Sequence, residues 1–465
     1  MGAFSRANIA KTVYYLQRNG LRNTWYAVRE RISERKRPYV EETDREVTKE
    51  DLKRQREHVL SNAPRYQSIS FSIVVPTYHT KPEFLIELIA SVRGQSYPYW
   101  ELILADASED DSVYRTAKEW IRNVEEQTVE GAIRYLKLKE NGGIAANTQA
   151  ALPYARNTYV ALLDHDDLLT ADALYEMAAL IAEQRAQGTD LQMVYSDEDK
   201  CDVDGRIFFE PHIKEKFNYD LILSNNYICH FMAMKKEMIQ ELGFRGEYDG
   251  AQDYDLVLRL LSRLGIPRDP SCEKYIGHVE KVLYHWRCHS ASTAENPRSK
   301  EYAYEAGRRA LEDFLTDNKL MADARALKHV GFYVPVYRQS IWQARPDLGA
   351  VGGPVYAHGR IAGGRMDKTG KVFYEGLPRH FSGYMHRAAL PQDCEALDIR
   401  NISVRPELIP EFQRLTGVTY RTCKGTDRFD SSMLPESADC REISLAFGRF
   451  LLQKGYRMLW RPDND

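Results

Sequence analysis

The chain has 465 residues, of which 43% are hydrophobic and 28% charged, with a formal net charge of −3. That is enough for two or three domains with substantial cores, and so even a balance argues against a nucleic acid held by bulk electrostatics. No apolar run reaches the roughly 18 residues that cross a bilayer, and the first 30 residues lack a signal peptide's apolar centre, so a cytoplasmic protein is expected.

Residues 1–40 concentrate the basic charge, with nine Lys or Arg against two Glu. Ile9, Val13, Tyr14, Leu16, Leu21, Trp25, Val28 and Ile32 are interspersed with Arg18, Arg22, Arg29 and Arg31. That pattern suits a helix lying on an anionic membrane at the inner face of the plasma membrane, or equally one packed on the body of the protein. Arg6 stands where a myristoylation signal has Ser or Thr, so lipidation is not expected. Residues 41–65 read as a charged connecting helix capped by Thr48 and broken at Asn62, Ala63 and Pro64, and residues 1–66 as a helical extension. Seven cysteines form no CxxC pair, which suits reduced thiols rather than disulfides or structural zinc.

From Phe71 the texture changes. "FSIVV" (71–75), "ELILA" (101–105), "IRYLKL" (133–138), "YVALL" (159–163) and "MVYS" (193–196) read as strands recurring about every 30 positions, with helix patterns after Pro82 and over Leu174–Ile181. Strand–helix–strand at this interval predicts parallel pairing in an open α/β sheet. Such sheets bind ligands beyond the carboxyl ends of their strands. Four groups should therefore share one rim: Pro76-Thr77-Tyr78-His79, Asp106-Ala107-Ser108, Asn141-Gly142-Gly143 and Asp164-His165-Asp166-Asp167.

Each group has a bland reading: a turn, a helix cap, a glycine loop, a solvated acidic loop. Taken together they suggest more. An aromatic turn holds a flat base, Asp106 accepts hydrogen bonds from base or ribose, and glycine amides approach phosphate closely. Three carboxylates in four residues repel one another unless a cation sits among them, and Mn²⁺ or Mg²⁺ held by Asp164 and Asp166 fits that need. This set describes a site for a nucleoside diphosphate carrying a further group.

"SIVVPTY", "ELILADAS", "NGGIAAN", "LLDHDD", "VYSDEDK", "GAQDYDLVLRL" and "LYHWRCHSAST" occur in an order that resembles glycosyltransferase family 2, with its Rossmann-like GT-A fold, over about residues 68–315. The YSDEDK, QDYDL and YHWR set is similar to bacterial enzymes that build O-antigens and rhamnose-rich surface chains. The resemblance implies an inverting transfer of a hexosyl or rhamnosyl group from a UDP- or dTDP-linked donor to a saccharide or lipid-linked acceptor. It puts the DxD motif on Asp164 and Asp166, the base-facing positions on Pro76, Thr77, Tyr78 and Asp106, the glycine loop on Asn141 and Gly143, and the catalytic base on Asp253. A direct displacement does need a carboxylate opposite the leaving diphosphate to take the acceptor's proton. His285 is expected to complete the metal shell, or else to be a buried structural histidine; Arg287 is expected to hold a diphosphate oxygen. His79, Asn147, Gln149 and Gln252 depart from the broader family's pattern. The alternative is a catalytically inactive nucleotide-sugar-binding scaffold of a polysaccharide assembly complex; a metal phosphohydrolase would need a larger ligand set.

The resulting expectation is a helical extension over 1–66, a GT-A domain over 67–325 and a smaller α+β domain over 326–465. "RPDLGAVGGPVYAHGRIAGG" and "REISLAFGRFLLQKGYRMLWRP" resemble the second half of another GT-A domain, with Cys440 where Asp253 stands in the first. A degenerate partial module and an unrelated α+β domain both fit this segment.

Overall fold

A computed structural model describes residues 6–36, 47–121, 132–289 and 301–462, with the side chains of 6–10 left aside. Residues 41–46 of the expected connector and the end of "LYHWRCHSAST" beyond His289 lie outside the described residues.

The first helical stretch, Arg6–Lys36, is broken at Gly20, whose φ of 75° places it in the left-handed region open to glycine. Lys49–Ser61 begins at Thr48 with a reciprocal capping box to Asp51. The central sheet has nine strands: β1 (Phe71–Thr77), β2 (Trp100–Asp106), β3 (Ala132–Lys137), β4 (Tyr159–Leu162), β5 (Leu168–Leu169), β6 (Met193–Cys201), β7 (Phe208–His212), β8 (Met232–Lys235) and β9 (Ile276–Arg287). Their order is β3-β2-β1-β4-β8-β6-β9-β5, with β7 on β6.

Strands β1 to β4 pair in parallel as expected, with Thr77 beside Asp106 and Asp106 beside Lys137. Strand β8, which the sequence pattern does not mark, runs antiparallel between β4 and β6. Strand β9 is again parallel to β6. The carboxyl ends of β1–β4, β6 and β9 therefore share one rim, and β8 starts from that rim. One apolar core lies on each sheet face, the first including Val74, Ile103, Tyr195, Leu256 and Leu260, the second Ile73, Val75, Leu88, Leu104 and Met177. Burial of those apolar faces drives assembly of the layers.

Beyond the helix Glu301–Asp317 and the hairpin Ala322–Ala326 with Tyr333–Tyr337, a second sheet places Leu348–Gly352 between Arg457–Trp460, parallel to it, and Ile402–Val404, antiparallel to it. Its separate core contains Leu397, Phe412, Phe447 and Trp460. All seven cysteines are free.

Candidate active site

At the base end of the rim, Asp106 is fully buried. Its Oδ1 accepts from Ser108 N (3.0 Å), Ser108 Oγ (2.7 Å) and Thr77 Oγ1 (3.4 Å), and its Oδ2 from Tyr135 Oη (2.7 Å) and Lys137 Nζ (3.3 Å). A carboxylate offers about four lone-pair sites, so the protein itself saturates Asp106. The expected direct bond to base or ribose is replaced by a holding role: Asp106 ties Thr77, Ser108, Tyr135 and Lys137 together. Pro76 is half-buried and Thr77 buried, whereas the ring of Tyr78 is exposed and lies edge-on to that of His79, 4.4 Å between centroids. Tyr78 Oη donates to Glu109 Oε1 (3.3 Å), and His79 Nε2 pairs with Glu109 Oε2 (2.7 Å).

The glycine loop is self-contained. Asn141 Oδ1 accepts from Gly143 N (3.1 Å) and Asn147 Nδ2 (2.9 Å), Gly142 N donates to Asn147 Oδ1 (3.1 Å), and Ala145 N donates to Asp249 Oδ1 (2.9 Å). These amides, expected to face phosphate through Asn141 and Gly143, are already satisfied. A Cβ on Gly143 would meet Asp249 at 2.0 Å, so close approach of the Asp249 carboxylate accounts for the glycine here. Asn147, a departure from the family's pattern, locks the loop.

The acidic loop follows β4. Asp164 and Asp166 are half-exposed; Asp167 is buried and accepts from Tyr284 Oη and from Arg287 N (2.7 Å). Burial, and then the charges of Asp166 and Asp164, hold the Asp167 carboxyl well above the usual carboxylate range. Arg287 does not point at a ligand. Its fully buried guanidinium donates to Asp166 O (2.6 Å) and Val203 O (2.6 Å) and pairs with Glu87 (2.6 Å), so it is a post under the loop rather than a diphosphate clamp.

His285 is also displaced from its expected role. Its Nδ1 contacts Asp199 Oδ1 (2.5 Å), and its ring packs on Phe208, 4.2 Å between centroids. Both line a cavity of about 1920 Å³ between β6 and β9 and the C-terminal sheet; none of Asp106, Asp164, Asp166 or Asp253 lines it. The imidazole facing the DxD loop is that of His289, with Nε2 2.7 Å from Asp166 Oδ2. The antiparallel pairing of Leu168 with His285 runs residues 286–289 back along the loop, which brings His289 to Asp166.

A divalent cation of the Mn²⁺ or Mg²⁺ kind fits this donor set: the Asp166 carboxylate and the His289 imidazole in contact, Asp164 two residues away, and the remaining coordination left for phosphate oxygens and water. Among the described residues no group of three His, Cys, Asp or Glu side chains forms a complete cage. A catalytic ion shared with a diphosphate needs no such cage.

Asp253 opens the helix Gln252–Leu264 and is half-exposed. Its Oδ2 accepts from Asn226 Nδ2 (2.9 Å) and Cys229 Sγ (3.0 Å), both in the segment that enters β8 from the rim. In the same segment His230 stacks on Tyr284, 4.8 Å between centroids, and Tyr284 donates to Asp167. One short stretch thus touches Asp253 on one side and the acidic loop's support on the other. Asp255, buried and paired with Arg245 and Arg259, holds the helix start.

Residues 72–243 match the family model described as glycosyl transferase family 2. The likeness to glycosyltransferase family 2 is carried by this segment. The uncharacterized protein y4gI of Sinorhizobium fredii is 41% identical over 246 residues, 52% of this chain and 25% of that protein. The O-antigen biosynthesis protein RfbC of Myxococcus xanthus is 33% identical over 245 residues, again 52% of this chain but 18% of its own. The match thus spans a quarter or less of either relative. Among solved structures, S. aureus TarS (residues 1–349) in complex with UDP-GlcNAc aligns over 54% of this chain and 67% of its own at 19% identity, with a TM-score of 0.38. Within the family 2 segment lie the base turn, the glycine loop, the DxD loop and the strands behind them; His289 and Asp253 lie beyond its end.

Proposed function

We propose that this chain is a metal-dependent, inverting glycosyltransferase. It moves a sugar from a UDP- or dTDP-linked donor to a saccharide or lipid-linked acceptor in bacterial surface-polysaccharide synthesis. The observation that carries this reading is the convergence on one rim of an Asp166–His289 pair and a carboxylate, Asp253, linked through the segment 226–230. Asp166 and His289, with Asp164 beside them, are the residues that would hold Mn²⁺ or Mg²⁺, and the bound ion would neutralise charge growing on the diphosphate oxygens. The exposed ring of Tyr78 offers the base a flat face. As the acceptor oxygen bonds to the anomeric carbon and the bond from that carbon to the diphosphate breaks, Asp253 takes the hydroxyl proton. A single displacement inverts the configuration.

The experiment is a nucleotide-sugar panel with Mn²⁺, comparing the wild type with Asp253→Asn. Wild-type transfer that falls about 10²–10⁴-fold in Asp253→Asn, with donor binding kept, supports the proposal. Donor binding without transfer in both proteins would make the chain a scaffold instead.

The N-terminal helix supports a membrane-facing role for the same enzyme. Asn19 Nδ2 donates to Lys328 O (3.0 Å), Tyr26 stacks on His380 (4.3 Å), and Glu30 accepts from Ser382 N and Gly383 N, which pins one face to the body. The other face exposes Leu21 (79%), Trp25 (54%), Val28 (41%) and Ile32 (52%) at helical spacing, with Arg22 and Arg29 beside them. An apolar row flanked by arginines suits the inner leaflet's anionic headgroups. Among the described residues no helix is long and apolar enough to cross a membrane. Co-sedimentation with vesicles containing anionic lipid tests this; binding undiminished in Leu21→Ser/Trp25→Ser would contradict it.

We read residues 326–465 as a degenerate partial module of the same fold. The helix Cys440–Gln453 followed by Arg457–Trp460, parallel to Leu348–Gly352, supports this reading.

A further inference from the structure

We infer that Asn226 and Cys229 are positioning residues for Asp253, forming a bracket that fixes one carboxylate oxygen and leaves the other to meet the acceptor hydroxyl. The inference rests on the reading of Asp253 as the base. Both donors converge on the same atom, Oδ2, at 2.9 and 3.0 Å. The Asn226 amide has a settled orientation, because Cys229 N donates to its Oδ1 (3.4 Å) while its Nδ2 faces Asp253. Burial, and then the Asp253 charge, push the Cys229 thiol well above its ordinary range, so it stays an S–H donor.

The bracket is itself anchored. Lys214, fully buried at its side chain, donates from Nζ to Ile228 O (2.7 Å) and His230 O, holding the segment from behind. His230 is seated on Tyr284. Without the bracket a half-exposed aspartate is free to turn about its terminal torsion, which has no steep minima. With it, the plane of the carboxylate is set relative to the metal loop.

The test compares Asn226→Ala, Cys229→Ala, Cys229→Ser and Asp253→Asn in the full chain, with Mn²⁺ and the donor that the panel identifies. The readouts are kcat and donor KM. Asn226→Ala should lower kcat about 10–100-fold with donor KM within about twofold. Cys229→Ala should lower kcat by less, and Cys229→Ser, which keeps a donor, should restore turnover towards the wild type. Should Asn226→Ala lower the melting temperature, the two Cys229 variants carry the comparison alone. If Asp253→Asn abolishes transfer while kcat stays at the wild-type value in the Asn226 and Cys229 alanine variants, the bracket is refuted. If Asp253→Asn transfers normally, the base assignment itself falls.

Discussion

Two groups of buried or half-buried carboxylates sit in this molecule, and they are treated in opposite ways. Where the C-terminal region meets the nine-stranded sheet domain, the fully buried Arg345 donates to Asp347 (2.9 and 2.8 Å) and to Asp220 (2.6 and 3.1 Å), and Arg457 reaches Asp347 (2.9 Å) and Glu273 (2.8 Å). Burial alone would raise Asp347, but the two guanidinium groups overcome it and bring its carboxyl down to about 2. In the loop 164–167 the one nearby guanidinium spends itself on backbone carbonyls and Glu87 and leaves the carboxylates to repel one another. Asp220 and Asp347 come with their own arginines. The acids of the loop 164–167, at the open end of a sheet, do not, and under the proposed function they are arranged for a cation that arrives.

The contrast can be broken most forcefully at Asp347. Asp347→Ala leaves Arg345 and Arg457 short of a buried counter-charge and should cost about 3–5 kcal/mol in denaturant unfolding. Asp166→Ala removes one of several like charges along with its contact to the partly exposed His289, and should change unfolding by no more than about 1 kcal/mol, since it opens no cavity and strands no buried charge. Its effect belongs to catalysis: turnover with Mn²⁺ should fall about 100-fold or more. Equal losses of stability in the two variants would erase the distinction between them.

A pH titration of stability sharpens the same point with a smaller effect. The Asp347 carboxyl lies below its ordinary range, at about 2; Glu198, raised by burial but lowered more strongly by Lys214 and His212, also falls to about 2. A depressed folded-state value means that the stabilisation is fully present above the unfolded value near 4 and is lost as pH falls towards 2. Each group should contribute about 2–3 kcal/mol by linkage. The melting temperature should therefore be flat between about pH 5 and 7 and drop between pH 4 and 2, with a shallower drop in Asp347→Asn. A drop of the same depth in that variant would remove Asp347 from the account.

The difference between the two regions also explains what could be read in advance. The four parallel strands were legible because branched residues recur in short runs, and their shared rim followed from the parallel pairing. Asp164, Asp166 and Asp253 could be placed on it from motif order alone. The antiparallel β8 was not legible, because "MAMK" has neither alternation nor branched side chains to mark a strand. That insertion matters twice: it brings Asn226 and Cys229 to the rim, and it shows that the sheet changes direction before β9. That His289 rather than His285 lies against Asp166 was hidden for a related reason. Which of two histidines four residues apart faces Asp166 depends on the register of Leu168 against His285, a pairing across more than a hundred residues. Asp106, Arg287 and the glycine loop were legible as residues of the site but not in their roles, since sequence shows a donor or acceptor without showing that a neighbour has already satisfied it.

The smallest predicted effect concerns Cys440, at the position aligned with Asp253. It opens the helix Cys440–Gln453, but the cap is Asp439, whose side chain accepts from Arg441 N and Glu442 N (both 3.1 Å). The thiol is half-exposed, and burial followed by nearby Asp398 and Asp439 raises it, against the pull of Arg400, so it stays protonated and offers no base. Cys440→Ser should change unfolding free energy by no more than about 0.5 kcal/mol and leave transfer at the wild-type rate. Asp439→Ala, by contrast, removes a helix cap and should cost about 1 kcal/mol. If Cys440→Ser instead slowed transfer, the C-terminal helix would have to reach the reacting sugar, and the division between a catalytic and a supporting region would fail at the position where the two helices are most alike.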